Sequence, residues 1–334
     1  MSSISVLGSG AWGTTMAQVL VDAGNSVVLW GRNNEVVSEI NSAHTNSKFL
    51  QGITLPSSLS ATTSIEEALR HPDYIVMAIP SQSLRENLEN WQGFFPSDKP
   101  VISTLKGIEL GTHLRMTEVM EKVLAIDPHN LGLITGPNLA SELILRQPAG
   151  AVGASTNPEL ATAISGIFKT KYFRVYTSPD LIGCELAGAF KNVIALAVGM
   201  CVGMGLGENT QAMLITRGLN EVTKLGVALG AQPLTFAGLA GMGDLVATCS
   251  SSLSRNRQFG EVLGRSESYE KARAAVTKTV EGVSSAVAVV ELAHLVGVEI
   301  PIIEAVADVV SNTLTPQESV QRLMALNTGA EIDH

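Results

Sequence analysis

Near its start the chain reads Gly8-Ser9-Gly10-Ala11-Trp12-Gly13, set between the apolar run Ile4-Ser5-Val6-Leu7 and a helical pattern from Trp12 to Asp22. A G-x-G-x-x-G run in that position is the first turn of a βαβ unit built to meet a dinucleotide. The first glycine permits the tight turn. The second lets a pyrophosphate reach the backbone, and the third lets helix and strand pack closely. The pyrophosphate then meets free N–H groups at the helix start. Glycine-rich strand-to-helix turns also occur without a ligand. Here the order of strand, motif, helix and second strand, Val27-Val28-Leu29-Trp30, supports the binding reading. Gly8, Ser9, Gly10, Ala11, Trp12 and Gly13 are the candidate cofactor contacts.

The same alternation continues. Tyr74 to Ile79, Val101 to Thr104 and Leu131 to Thr135 read as further buried strands. Strands alternating with helices predict an α/β fold with a mostly parallel sheet covered on both faces. Near Ser178-Pro179-Asp180 the character changes. Long Ala/Leu/Val-rich helical patterns follow: Leu181 to Val202, Thr210 to Leu229, Glu281 to Val296 and Ile302 to Ser311. Gly and Pro punctuate them. The chain of 334 residues is long enough for two domains. The expectation is an N-terminal Rossmann-like domain over residues 1–180 and an all-helical domain over 181–330.

Composition removes several classes of function. Charged residues are 16% and hydrophobic residues 45%, which excludes a mostly disordered chain. The net charge of -9 and the lack of a Lys/Arg run argue against nucleic acid as a partner. The N-terminus lacks the basic flank and apolar stretch of a secretory signal. The longest apolar run, Val193 to Met204, reads as too short and too Gly-rich to span a bilayer. Cys184, Cys201 and Cys249 have no metal-like spacing and read as buried free thiols, which suits a reducing cytoplasm. The six histidines show no ligand spacing, so no metal site is expected. No G-x-S-x-G, C-x-x-C or H-E-x-x-H occurs.

The charged candidates are few. Arg32 follows the second strand where an NAD-selective site would place an acid. Its guanidinium suits a 2'-phosphate, which favours NADP(H) and leaves NAD(H) open. Lys106 follows a strand, at the sheet edge where open α/β folds bind ligands. Lys191 lies in a helical stretch that is otherwise almost free of charge. Burial lowers a lysine pKa, so this amine can exchange a proton near neutral pH. A stem lying along the helix with its amine in water is the plainer alternative. Asp244 sits between glycines and an apolar run, where a helix N-cap is the alternative role. Ser254-Arg255-Asn256-Arg257 gathers donors suited to phosphate, or forms a basic surface loop. Gly136-Pro137-Asn138 turns into a helix start with free N–H groups.

Together these runs closely resemble the bacterial-type NAD(P)-dependent glycerol-3-phosphate dehydrogenases, from Ile4 to about Met324. The resemblance rests on Gly8 to Thr14, Gly136-Pro137-Asn138-Leu139-Ala140, Glu185 to Val193, Gly238 to Leu245, Ser254 to Arg257 and Glu281-Gly282. It implies a Rossmann-like domain followed by a helical domain, as a homodimer; the cysteines and the short apolar run add the expectation of a cytoplasmic protein without membrane insertion. It implies interconversion of dihydroxyacetone phosphate and sn-glycerol 3-phosphate by hydride transfer with NAD(P)H, supplying phospholipid synthesis. By position it implies Lys191 as general acid/base, Lys106 as a second cation on substrate and cofactor, and Asp244 and Thr248 as orienting groups. Asn192, Arg255, Asn256 and neighbouring Ser254 would hold the substrate, with Gly136. Trp12, Arg32, Ala140, Arg255 and Glu281 would touch the cofactor. Three positions depart from the pattern. Leu105 stands where Thr is usual, Ala11 replaces a common Ser, and Thr279 replaces an aliphatic residue. A related β-hydroxyacid dehydrogenase and a dinucleotide sensor without chemistry are the competing readings.

Overall fold

The fold follows from how the first strand is used. In the computed structural model β1 (Ser3–Leu7) is central and pairs in parallel with β2 (Ser26–Trp30) on one side and β6 (Tyr74–Met77) on the other. The structure describes residues 1–266, 269–275 and 280–326. Thr279, His334 and the last residues of the expected second domain lie outside these. Between β2 and β6 come the hairpin β3 (Thr45–Asn46) and β4 (Leu50–Thr54), and β5 (Ser60–Thr62). β7 (Val101–Ser103), β8 (Leu131–Thr135), β9 (Ala149–Ala154) and β10 (Phe173–Ser178) complete the strands. The main sheet has the order β10-β9-β8-β7-β6-β1-β2-β5, and only the β8–β9 pair is antiparallel. The chain moves outward from β1 through β2 to β5, then crosses to β6. The crevice between β1 and β6 is therefore the topological switch point, where ligands of such sheets bind.

Seven helices serve the sheet: α1 (Ala11–Asp22), α2 (Asn34–Ala43), α3 (Ile65–Ala68), α4 (Leu84–Trp91), α5 (Met116–Leu124), α6 (Ala140–Leu143) and α7 (Pro158–Phe168). Among the described residues that follow, the elements are helical: α8 (Leu181–Gly203), α9 (Glu208–Ala228), α10 (Pro233–Ala237), a π-turn at Leu239–Gly243, α11 (Asp244–Ser250), α12 (Arg255–Arg265), α13 (Tyr269–Ala275), α14 (Glu281–Val296), α15 (Pro301–Val310) and α16 (Pro316–Met324).

The expected strands are present, with Tyr74 to Ile79 shortened to end at Met77. Three strands of the main sheet, β5, β9 and β10, were not anticipated. β9 reads Ala-Gly-Ala-Val-Gly-Ala, a composition that hides a strand. The small residues are needed because α7 lies against them. A Cβ on Gly153 would sit 2.7 Å from Ile164, and one on Gly132 would sit 2.6 Å from the same side chain. β10 alternates its burial as an edge strand.

α8 is the axis of the helical half. Asp180 caps it by accepting from the Gly183 N–H at 2.9 Å, and the same carboxylate holds α10 through the Gln232 N–H and Thr235 hydroxyl. With 23 residues, α8 is long and apolar enough to cross a membrane, contrary to the expectation for its Val193–Met204 run. It does not need one, because 89% of its apolar window is buried inside the protein. The three cysteines are free and buried, as expected.

α12 crosses α8 at backbone contact. A Cβ on Gly260 would lie 2.3 Å from the Leu196 carbonyl oxygen, and one on Gly199 would lie 2.2 Å from that of Arg257. This crossing sets the start of α12 beside the middle of α8. Gly260→Ala forces the helices apart and is expected to cost about 1–3 kcal/mol, as overpacking does. A lower urea midpoint with an unchanged m-value would record it.

Candidate active site

The glycine turn between β1 and α1 divides its work as the motif requires. Gly8 has φ +134°, in the region that favours glycine, and a Cβ there would meet the Ala78 carbonyl oxygen at 2.3 Å. A Cβ on Gly13 would overlap the Gly8 carbonyl oxygen at 1.8 Å. These two glycines are demanded by the protein itself. Gly10 differs, because its Cβ would meet nothing within 4 Å. It starts α1, whose first turn has no capping side chain and no acid. Open space before uncapped helical N–H groups is the cradle an anion fills. The residues present therefore fit a dinucleotide pyrophosphate.

Ser9 is buried, with its hydroxyl in the space that a Cβ on Gly31 would take. That contact puts the following Arg32, exposed beyond the end of β2, next to the glycine turn. Ala11 and Trp12 open α1 and are half-buried. Ala140 opens α6, and its carbonyl lies 3.5 Å from the Thr15 hydroxyl on α1. Asn46 was not anticipated. Fully buried, it donates to the Ser9 carbonyl at 3.0 Å and the Thr14 hydroxyl at 2.9 Å, bracing the turn from outside. It stands alone in a polar stretch, so no motif marks it.

The carboxyl ends of β7 and β8 carry the next group. Lys106 follows β7 and donates to the Gly136 carbonyl at 3.3 Å. Its ammonium also meets Asp244 at 2.5 Å. Lys191, from the middle of α8, meets the other oxygen of the same carboxylate at 2.5 Å and donates to the Thr248 hydroxyl at 2.5 Å. Thr248 in turn donates to the Asp244 carbonyl at 2.6 Å. Asp244 is 1% exposed, so its carboxylate needs these partners. It begins α11 without serving as a cap, because the π-turn before it aims the side chain at the lysines. The Lys191 side chain is 8% exposed and does not reach out along its helix to solvent.

One negative and two positive charges thus share a small dry space. Burial lowers the Lys191 pKa to about 8, helped by the Lys106 charge and opposed by Asp244. Burial also raises Glu281, which stands at the start of α14. Arg255, the Ser81 backbone N–H, Lys106 and Lys191 all act against that rise, so Glu281 shares this neighbourhood.

The donor cluster at the start of α12 is joined to the same helix. Asn256 donates to the Asn192 side chain at 2.9 Å and accepts from the Gly282 N–H at 2.9 Å. Ser254 is buried, and its hydroxyl caps α12 by accepting from the Arg257 N–H at 3.3 Å. Arg255 begins α12 and is exposed. The structure therefore brings Lys106, Gly136, Lys191, Asn192, Asp244, Thr248, Arg255, Asn256 and Glu281 into one neighbourhood. The glycine turn, Arg32 and Ala140 lie along the neighbouring edge of the sheet. Arg115, whose guanidinium pairs with buried Glu185, was not anticipated either.

Residues 3–161 match the family described as NAD-dependent glycerol-3-phosphate dehydrogenase N-terminus, and residues 180–321 match its C-terminus. A glycerol-3-phosphate dehydrogenase [NAD(P)+] of Corynebacterium glutamicum is 51% identical over 332 residues, covering 99% of this chain and 100% of that one. One from Thermobifida fusca is 50% identical over 99% of each chain. The crystal structure of glycerol-3-phosphate dehydrogenase from Coxiella burnetii superposes with a TM-score of 0.91 at 33% identity, covering 97% of this chain and 99% of that one. Matched in both halves and along nearly its whole length, the chain belongs to the NAD-dependent glycerol-3-phosphate dehydrogenase family.

Proposed function

We propose that the protein interconverts dihydroxyacetone phosphate and sn-glycerol 3-phosphate with NAD(P)H, in the direction that supplies phospholipid synthesis. The observation that carries this reading is the pair of lysines on one buried carboxylate, at the carboxyl edge of a sheet whose glycine turn fits a dinucleotide. The resemblance also implies a homodimer, the free buried cysteines suit a reducing cytoplasm, and both readings belong to this proposal.

When bound, the nicotinamide supplies the hydride. The chain's own residues supply charge, position and a proton. Two of the three Lys191 N–H bonds have protein acceptors, Asp244 and Thr248. The third is left for the substrate oxygen. As negative charge grows on that oxygen, Lys191 gives it a proton and Lys106 stabilises it. Asp244 holds both amines in place and favours the charged form of Lys191. Arg255, with N–H groups at the start of α12, binds the phosphate, and the Asn192–Asn256 pair fixes that start against α8. Ser254 acts through its cap. Holding the remote phosphate fixes the carbonyl near the nicotinamide. Gly10 faces the cofactor pyrophosphate, Glu281 and Ala140 border it, and Arg32 favours the 2'-phosphate of NADPH.

The test is oxidation of NADPH and NADH by purified protein with dihydroxyacetone phosphate. Rapid oxidation that requires the substrate's phosphate supports the reading, with NADPH the faster cofactor. Cofactor binding without oxidation would turn the assignment to the related dehydrogenase or the sensor. Lys191→Ala is expected to lower kcat by about 100- to 10,000-fold, the range of general acid catalysis. Near-normal turnover by folded Lys191→Ala would remove Lys191 from the chemistry. For pH, a lowered pKa means that the ammonium is lost on passing about 8, well before an ordinary lysine. The kcat/KM for ketone reduction should therefore fall as pH rises through about 8, and that for alcohol oxidation should rise over the same range. A Cβ at Gly10 meets nothing in the protein within 4 Å, so Gly10→Val places its side chain in the pyrophosphate cradle. It should abolish dinucleotide binding by fluorescence titration while leaving Tm unchanged.

A further inference from the structure

Lys106 comes from the sheet half and Lys191 from the helical half, so their spacing depends on how the two halves are joined. The segment after Lys106 makes that join. It leaves the sheet at Ser103, passes Lys106, and turns back through an isolated antiparallel bridge between Ile108 and Arg115 before entering α5. Both ends of this loop rest on α8. At the first end, a Cβ on Gly188 would lie 3.5 Å from Lys106 Cγ and 3.1 Å from the Thr135 hydroxyl, so the lysine stem runs directly over that glycine. At the other end, Glu185, one turn earlier on α8, takes hold of Arg115 and Thr117.

Glu185 makes a full set of contacts. One oxygen accepts from the Thr117 N–H at 2.9 Å. The other accepts from the Thr117 hydroxyl at 2.6 Å and the Arg115 guanidinium at 2.8 Å. The Glu185 side chain is 1% exposed and that of Arg115 17%. Glu118 also pairs with Arg115, at 3.3 Å. A carboxylate buried this deeply in an apolar helix is costly unless fully paired. The proposed chemistry does not use it, since its partners are Arg115 and Thr117 and not the groups that hold Lys191, which are Asp244 and Thr248. Its geometry has a consequence for Lys106 instead. Residues 185, 188 and 192 lie on one stripe of α8. That stripe holds Arg115 at 185, Lys106 at 188 and Asn256 at 192.

We infer that Arg115 and Glu185 are a positioning pair, which clips the Lys106 loop to α8 and so sets the distance between the two amines on Asp244. The inference rests on the functional reading for its meaning in catalysis, but its first readout needs no substrate. Besides the Thr248 hydroxyl, four titratable groups act on the Lys191 amine: Asp244, Lys106, Cys249 and Glu281, from α11, the β7 edge, α11 and α14. Of these, Lys106 alone rides on the clipped loop. Release of the loop withdraws a positive neighbour and frees Asp244 for Lys191, and both changes raise the Lys191 pKa.

The variant Arg115→Met/Glu185→Gln removes the ion pair without leaving a lone buried charge, and the amide keeps an acceptor for Thr117. Labelling with acetic anhydride across pH, mapped by mass spectrometry, reads each amine in the free protein. The expected result is a Lys191 midpoint moved to higher pH than in the wild type, with Lys106 labelled faster. In turnover, kcat/KM should fall by about 10- to 100-fold, as displacements near 1 Å do. Arg115→Lys should fall between the two, and it serves as the test protein if the double variant does not fold. Unchanged labelling of both amines, even with a lower Tm, would make the pair merely structural and overturn the inference. A wild type inactive on dihydroxyacetone phosphate would count against the functional reading alone, since the labelling result stands without it.

Discussion

Two ammonium groups bound to one buried carboxylate are the constraint that the rest of the structure serves. Lys106 and Lys191 would repel each other strongly in a space this dry, and Asp244 alone would pay a heavy desolvation cost. As a triad they leave one net positive charge held in place. A site of that kind attracts an anion and stabilises an oxygen that becomes negative. It works only while water stays out and the three side chains cannot drift. Each arrives from a different place: Lys106 from a strand end, Lys191 from a central helix, Asp244 from a helix start after a π-turn. The fold must fix all three origins.

The helical half does this by burying α8 on every side. An apolar helix with so little polar surface has one stable place, and that is the core. Glycines on α8 and α12 then allow backbone contact, which sets the start of α12 beside Asn192. The π-turn before α11 adds a residue to the helical repeat and so turns Asp244 inward. These are packing solutions, and each is tied to a small residue whose side chain would otherwise separate two elements.

Much of the fold was legible. The glycine turn, the five apolar strands and the long helices all follow from motif and periodicity. β9 was hidden because its own job, lying under Ile164 of α7, calls for alanine and glycine, which carry no strand signal. β10 carries buried Phe173 with half-buried Val175 and an exposed Tyr176, a faint alternation at an edge. The helical pattern from Leu181 to Val202 already gave nearly the whole of α8, but its capacity to span a membrane was judged on the Val193–Met204 run by itself. Within the site, Lys191 stood out because charge was scarce around it, and Lys106 because it follows a strand at the carboxyl edge of the sheet. Glu185 lay inside one of the motifs, a lone acid in a buried helix, and its need for a partner was the available signal. Arg115 and Asn46 had none, since each acts through a contact with a distant residue.

The sequence by itself determined the class of fold, the family and the residue types available for chemistry, because glycine spacing, strand period and scarce charges are local properties of the chain. Only the tertiary structure decided that Asp244 is shared by two lysines 138 and 53 residues away from it. It also decided that Ser254 is a cap, that Asn256 is held by Asn192, and that Arg115 is joined to Glu185. The reason is physical. A side chain's partner and its loss of water are set by what folds against it, and a linear chain of residues contains neither until the core has closed.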